Sequence, residues 1–238
     1  MSCASATFCV AVGSSVVGTT GTPLAEKWNG TTWTLTTPPD DTLQSSALSG
    51  VSCTTAKFCL AVGSGHTGTS PGTFADKWNG ATWTLVPYQE PAGTADTLAG
   101  VTCTSTTFCM AVGSSSDNVN PGRTLSAKWN GASWNTVPSP DTSTAQANQL
   151  NAVSCTSSTF CTAVGQYDDG SNYAQTLTQK WNGTSWSISK SPDTSARSGA
   201  SFRQVVKISG QYRIVIRFGR YQGPTAWLHL TACSSRSS

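Results

Sequence analysis

Residues 51–63 read VSCTTAKFCLAVG, and residues 74–83 read FADKWNGATW. The first segment returns as SCASATFCVAVG at residues 2–13, VTCTSTTFCMAVG at 101–113 and VSCTSSTFCTAVG at 153–165. The second returns as LAEKWNGTTW at 24–33, LSAKWNGASW at 125–134 and LTQKWNGTSW at 177–186. Fixed-period similarity of this kind is the signature of a repeat architecture. We therefore divide residues 1–200 into four tandem repeats, at about 1–50, 51–100, 101–152 and 153–200.

Each repeat predicts four short β-strands separated by turns. In the second repeat they cover residues 51–53, 58–62, 74–78 and 83–86, with an Asn79-Gly80 turn before the last strand. Asn-Gly tolerates positive φ and is a strong hairpin signal. Charged residues make up only 11% of the chain, and no helical apolar period is present. The predicted fold class is all-β: a complete or partial β-propeller of four four-stranded blades, each of ~50 residues, plus a divergent C-terminal segment.

The repeat resembles known propeller blades. Its period of ~50 residues is similar to that of kelch-type blades. Gly-x-Thr/Ser-Trp, at residues 30–33, 80–83, 131–134 and 183–186, resembles the end of the Asp-box of sialidase-like propellers. Two positions before the Gly, where an Asp-box has Asp, each repeat has Trp. The resemblance is to bacterial extracellular β-propeller repeat proteins, and it implies fold more than function.

Eight of the nine cysteines form four Cys-x5-Cys pairs: Cys3 and Cys9, Cys53 and Cys59, Cys103 and Cys109, Cys155 and Cys161. Across a tight hairpin such a pair reaches one face within bridging distance, so we predict four structural disulfides. Reduced core cysteines and metal ligands are the alternatives, although zinc sites use shorter spacings and four ligands at one centre. Disulfides indicate an oxidising compartment. We expect an extracellular or cell-surface protein, with no membrane span and no signal peptide in this chain.

Two tryptophans flank every Asn-Gly turn: Trp28 and Trp33, Trp78 and Trp83, Trp129 and Trp134, Trp181 and Trp186. Their recurrence at one structural position favours a repeat core over a sugar-stacking platform. A lysine precedes the first tryptophan of each pair, at Lys27, Lys77, Lys128 and Lys180. We predict snorkelling or salt-bridged lysines rather than an anion-binding ring.

Carboxylates and histidines form no convincing catalytic set. Glycosidases need two carboxyl groups at a defined separation, whereas the acids here read as turn or loop residues. They include Asp40, Asp141 and Asp193 after prolines, Glu26 and Glu90, and Asp117, Asp168 and Asp169 in variable segments. His66 and His229 belong to no triad or metal motif. We therefore predict a protein that is not an enzyme and has no metal or cofactor.

Residues 201–238 depart from the repeat. Residues 194–238 contain six arginines, one lysine and no acid, whereas residues 1–193 have a net charge of −4. Residues 212–218 alternate apolar and basic side chains and predict a strand. We interpret this basic tail as a degenerate or frameshifted fifth repeat rather than a nucleic-acid-binding arm. Cys233 has no repeat partner and receives no role.

These observations favour a non-catalytic secreted or cell-surface binding or scaffold propeller whose ligand is a glycan or a protein. The predicted contact regions are the variable loops at residues 14–23, 64–73, 114–124 and 166–176, because binding residues concentrate on loops. No nucleic-acid partner is expected. The alternative function is that of a fragment of a sialidase-like or other carbohydrate-active enzyme.

Overall fold

The computed structural model describes residues 1–18, 20–39, 44–67, 70–88, 94–117, 122–143, 146–170, 174–191, 200–208 and 211–218. Four four-stranded antiparallel sheets and one two-stranded sheet follow one another along the chain. Within each four-stranded sheet the strands lie side by side in chain order, as in a propeller blade. The all-β, propeller-like fold class predicted from the repeat is confirmed.

Sheet 1 contains β1 (Ser2–Ser5), β2 (Phe8–Val17), β3 (Thr20–Trp28) and β4 (Trp33–Thr36). Sheet 2 contains β5 (Gln44–Thr55), β6 (Phe58–Thr67), β7 (Ser70–Trp78) and β8 (Trp83–Val86). Sheet 3 contains β9 (Ala95–Ser105), β10 (Phe108–Ser116), β11 (Arg123–Trp129) and β12 (Trp134–Thr136). Sheet 4 contains β13 (Asn148–Ser157), β14 (Phe160–Asp168), β15 (Ala174–Trp181) and β16 (Trp186–Ser189). The division into repeats proposed above stays a prediction.

The second and third strands of each sheet are longer than the sequence predicted. In sheet 2, β6 and β7 stay paired as far as Thr67 and Ser70, so the loop predicted at residues 64–73 is wrong except for residues 68–69, which lie outside the described residues. Strands also extend into the segments at 14–23, 114–124 and 166–176. Serine, threonine and glycine led us to expect turns there, but backbone pairing continues as far as Val17 and Thr20 in sheet 1 and Asp168 and Ala174 in sheet 4.

Neighbouring sheets pack face to face, and their first strands form a common inner edge. β1 contacts β5, β5 contacts β9, and β9 contacts β13. Small residues allow the first strands of neighbouring sheets to lie this close together. A Cβ added to Gly50 would lie only 3.2 Å from Gly100 Cα. Across the described residues no extensive contact joins sheet 1 to sheet 4. The sheets therefore form an arc.

Each sheet has two faces of different composition. The leading face, which meets the preceding sheet, carries the disulfide and the tryptophan pair. The trailing face carries a phenylalanine and aliphatic residues from the second strand. Between sheets 1 and 2, for example, Phe8 and Val10 pack against Cys59, Trp78 and Trp83. The same combination recurs between sheets 2 and 3 and between sheets 3 and 4.

The tail contributes a fifth, two-stranded sheet. β17 (Ala200–Ile208) and β18 (Gln211–Phe218) pair as an antiparallel hairpin, and β18 includes the strand predicted at residues 212–218. β17 contacts three strands of sheet 4, as β13 contacts three strands of sheet 3. Sheet 5 therefore takes the position of the first two strands of a further blade. Cys233 lies outside the described residues.

Candidate functional site

Disulfides close the first hairpin of every four-stranded sheet. The bonded pairs are Cys3–Cys9, Cys53–Cys59, Cys103–Cys109 and Cys155–Cys161, with Cα–Cα distances of 3.9–4.0 Å. A bulge between Cys53 and Thr55 brings the two cysteines of sheet 2 opposite each other. A loop this short contributes ~2 kcal/mol per bridge in the chain-entropy model. The four bridges cross-link the first two strands of each four-stranded sheet.

The tryptophan pairs of sheets 2–4 lie at the contacts between neighbouring sheets. Cross-strand partners such as Trp78 and Trp83 have ring centroids 5.5 Å apart. The first tryptophan also fastens the disulfide hairpin, because Trp78 Nε1 donates to the Ala56 carbonyl oxygen over 3.1 Å. Trp78 is 2% exposed and Trp83 6%. Buried rings offer little surface for sugar stacking, in contrast to Trp33, which is 41% exposed.

The Asn-Gly turns hold their shape through the asparagine side chain. Asn79 Oδ1 accepts the amide protons of Ala81 and Thr82, each over 2.9 Å, and Asn79 Nδ2 donates to Thr82 Oγ1 over 3.0 Å. Only the glycine has positive φ, at 105° for Gly80. The same Asn Oδ1 contacts recur in the other three sheets. The segment that resembles an Asp-box thus serves as a turn.

Three of the acids considered in the sequence, Asp141, Asp168 and Asp169, accept hydrogen bonds from nearby residues. Asp141 Oδ1 accepts from the amide and hydroxyl of Thr124 over 2.8 and 2.9 Å, which ties the linker to β11. Asp168 accepts from the Gly170 amide, and Asp169 from Gln175 Nε2. Glu26 and Asp117 are half-buried, and His66 is exposed. Asp40, Glu90, Asp193 and His229 lie outside the described residues.

No group of three potential metal ligands occurs within the part of the chain that the structure describes. In that same part, no helix is long and apolar enough to cross a bilayer.

Two of the four repeated lysines make a contact that the sequence did not predict. Lys27 Nζ lies 5.5 Å from the ring centroid of Trp78, and Lys128 Nζ lies 6.0 Å from that of Trp181. Each lysine therefore reaches from the trailing face of one sheet to the leading face of the next. Such cation–π contacts contribute roughly 0.5–2 kcal/mol. Sequence could not reveal them, because they depend on how the sheets stack.

A cleft of about 570 Å³ opens between the outer edges of sheets 1 and 2. It is lined by residues 35–39, Trp78 and residues 81–83, none of which carries a charge. The sheets contact along their first strands, so the space between them widens toward β4 and β8. Thr36 Oγ1 accepts from Trp83 Nε1 over 3.1 Å, which leaves the exposed Thr37 and Thr82 as hydroxyls at the cleft.

Sequence reasoning missed this cleft. Residues 37–39 read as an inter-repeat linker, and their proximity to Trp78 follows only from the packing of two sheets. A hint was available in the consecutive Pro38 and Pro39, which hold the chain extended. The structure brings these prolines to the tryptophan turn of the next sheet, but it does not bring the predicted contact regions at residues 14–23 or 64–73 into the lining.

No model of a known protein family matches this sequence, and no curated protein matches it either. Among solved structures, the chain matches one described as "YCF48 bound to D1 peptide", with a TM-score of 0.34 and 12% sequence identity. The match covers 94% of this chain and 92% of that chain.

Proposed function

We propose that this protein is a non-catalytic binding or scaffold protein, secreted or displayed at the cell surface, and that the cleft between sheets 1 and 2 binds a neutral polypeptide segment. The observation that carries the proposal is the uncharged lining of the cleft, with Leu35, Pro39 and two exposed threonines around a floor of buried indole. Ligand sites are typically concave and mostly apolar, with few polar groups.

The composition of the cleft favours a polypeptide over a glycan. Sugar recognition relies on an exposed aromatic face, yet Trp78 and Trp83 are only 2% and 6% exposed. Pro39 offers an apolar contact for a side chain of the ligand. Thr37 offers a hydroxyl to the backbone amides of an extended segment, and the Thr82 hydroxyl, which accepts from Asn79 Nδ2, can donate to a backbone carbonyl oxygen. An ionic ligand would find no counter-charge among the lining residues.

The proposed compartment follows from the four disulfides, because such bonds persist where the surroundings are oxidising. The alternative, a fragment of a sialidase-like or other carbohydrate-active enzyme, rests on the resemblance of the Gly-x-x-Trp segment to an Asp-box. In the structure that segment forms the turn between the third and fourth strands of each sheet. Asp141 and Asp168, the described acids with the clearest contacts, are held by local hydrogen bonds.

The test is a comparison of ligand classes on the purified full chain. A display library of uncharged and charged peptides and a glycan array are probed in parallel, and a panel of fluorogenic glycosides is assayed for turnover. We expect uncharged peptides to be retained with a micromolar Kd, equivalent to about −8 kcal/mol, and no turnover. Hydrolysis of a glycoside would establish the enzyme alternative, and retention of glycans alone would assign the cleft to carbohydrate.

A matched pair of variants locates the binding. Thr37→Arg places a large cation in the cleft, whereas Thr31→Arg places the same cation at an exposed position of the turn between β3 and β4, outside the lining. The first variant should weaken peptide binding at least ~10-fold, about 1.4 kcal/mol, and the second should leave it unchanged. An equal loss of peptide affinity in both variants would show that the peptide does not bind in this cleft.

A further inference from the structure

The linkers after sheets 1 and 2 differ at a position that faces the next sheet. Pro38 and Tyr88 each follow the second tryptophan of their sheet by five residues. Pro38 lines the cleft between sheets 1 and 2, and Tyr88 stands in the same position relative to sheets 2 and 3. The interface that has a cleft can therefore be compared, residue by residue, with the interface that follows it.

Tyr88 reaches across to sheet 3. It packs against the hydrophobic cluster that contains Trp129 and Trp134, which are the counterparts of the two indoles in the floor of the cleft. Its hydroxyl oxygen lies 3.4 Å from Thr136 Oγ1 and 3.5 Å from Asp96 Oδ2, both of which belong to sheet 3. Between sheets 2 and 3, an aromatic side chain of the protein itself thus packs beside a tryptophan pair.

The linker between sheets 3 and 4 also reaches both of its sheets. Ser139, which stands in the position of Pro38, donates from Oγ to Thr124 Oγ1 of sheet 3 over 2.8 Å. The carbonyl oxygen of Pro140 accepts from Gln179 Nε2 of sheet 4 over 2.9 Å. At this interface polar contacts hold the linker, whereas a proline ring, such as that of Pro38, has no N–H or hydroxyl with which to make them.

The cleft between sheets 1 and 2 has room for an aromatic side chain. Its volume of about 570 Å³ falls within the range of ligand pockets. Leu85 of sheet 2 stands in the position of Thr136, the residue that the Tyr88 hydroxyl approaches in the next interface. Leu85 is 46% exposed. It therefore offers an apolar contact for the outer end of a ring that enters the cleft.

We propose that this cleft takes an aromatic side chain of its polypeptide ligand, in the place that Tyr88 takes between sheets 2 and 3, and that Pro38 keeps the cleft open because its ring is too short to fill it. An aromatic ring suits the indole floor because tilted contacts between rings add to the effect of burying apolar area. It also needs no counter-charge from an uncharged lining. The inference rests on the proposed function, since it names the side chain by which the peptide is held.

Sequencing of the uncharged peptides that the display library retains tests the class of side chain. We expect them to share an aromatic residue, and the best-retained peptide should bind at least ~10-fold more weakly when leucine replaces that residue. Retained peptides with no shared aromatic residue, or an affinity that the replacement leaves unchanged, would overturn this inference and leave the proposed function standing. Failure to retain any peptide would overturn both.

Pro38→Tyr tests the position, because it gives the first linker the side chain that the second one has. It should weaken binding of the same peptide at least ~10-fold, since the cleft then holds a tyrosine of its own. Thr31→Tyr is the matched control: it adds the same side chain at an exposed position outside the lining and should leave the affinity unchanged. Circular dichroism establishes that both variants are folded. Unchanged affinity in the folded Pro38→Tyr protein, or an equal loss in both variants, would show that the ring is not held beside Pro38.

Tyr88→Ala tests the comparison from the other side, without altering the cleft between sheets 1 and 2. Removal of the ring opens its place between sheets 2 and 3, so calorimetric titration with the same peptide should show two bound molecules per chain in place of one. A single bound molecule per chain at saturation would mean that Tyr88 does not fill the equivalent of the cleft, and the inference would be wrong. This variant supplies the test of position if Pro38→Tyr does not fold.

Discussion

Trp83 donates its indole N–H to Thr36 Oγ1 over 3.1 Å and thereby joins sheet 2 to sheet 1. Between sheets 3 and 4, Trp186 likewise donates to Ser126 Oγ over 2.9 Å. Between sheets 2 and 3, the buried Nε1 of Trp134 finds no hydrogen-bond partner among the described residues. Val86 stands there in the position of Thr36. An unsatisfied buried donor costs about 1–3 kcal/mol, a cost that Trp83 and Trp186 avoid.

Val86→Thr should stabilise the protein, because the new hydroxyl offers Trp134 the acceptor that Thr36 offers Trp83. The volume is nearly unchanged, so packing in this cluster is kept. We expect a gain of ~1 kcal/mol in the free energy of unfolding, measured as a rise of about 2–4 °C in Tm for a chain of this size. Thr36→Val is the reciprocal control and should lower the stability by a similar amount. A drop in Tm with both substitutions would show that the hydroxyl does not act through the indole.

Gly113→Ala should be strongly destabilising and Gly13→Ala nearly neutral, although both glycines end the same repeat motif. A Cβ on Gly113 would overlap the carbonyl oxygen of Thr97, where a bulge presses β9 against β10. A Cβ on Gly13 would meet nothing within 4 Å. We expect a loss of ~3 kcal/mol for the first variant and less than ~0.5 kcal/mol for the second, by chemical denaturation. Equal effects would mean that the bulge is absent in solution.

Asn79→Ala should loosen the turn between β7 and β8, because two backbone amides lose their acceptor. The turn is exposed, so water replaces part of the interaction, and we expect a loss of ~1 kcal/mol. Asn79→Asp keeps the acceptor oxygen and should cost less than half as much. Thermal unfolding of the three proteins compares them, and a larger loss for aspartate than for alanine would contradict the role assigned to Oδ1.

Replacement of Cys53 and Cys59 by alanine should lower the free energy of unfolding by ~2 kcal/mol without altering the fold. Cys59 is fully buried, and the two-residue turn beside it stays closed by the Thr55–Phe58 pair. Circular dichroism and denaturant unfolding with and without reductant provide the measurement. Insensitivity of the unaltered protein to reductant would show that its bridges are not formed.

The sequence predicted those features that one repeat determines by itself. Cys53 faces Cys59 across a hairpin, and Trp78 faces Trp83 across a turn, because strand alternation and short loops leave few other arrangements. The features that sequence did not predict arise between repeats. The contact of Lys27 with Trp78 and the cleft beside Pro39 depend on the stacking of sheets, which no local pattern encodes. The bulge opposite Gly63 was missed for a different reason, since one extra residue in a strand leaves the hydrophobic alternation almost unchanged.

The spacing of the cysteines also determines which disulfide bonds form most readily while the chain is being synthesised. Partners are six residues apart, whereas Cys9 and Cys53 are separated by 44. Loop-closure entropy then favours the native partner over its nearest competitor about twentyfold. At a synthesis rate of about 5–20 residues per second, each pair also has a few seconds in which the next pair does not yet exist. Correct pairing therefore needs little help from a disulfide isomerase, and repeats of this type can be gained or lost without creating a new connectivity problem.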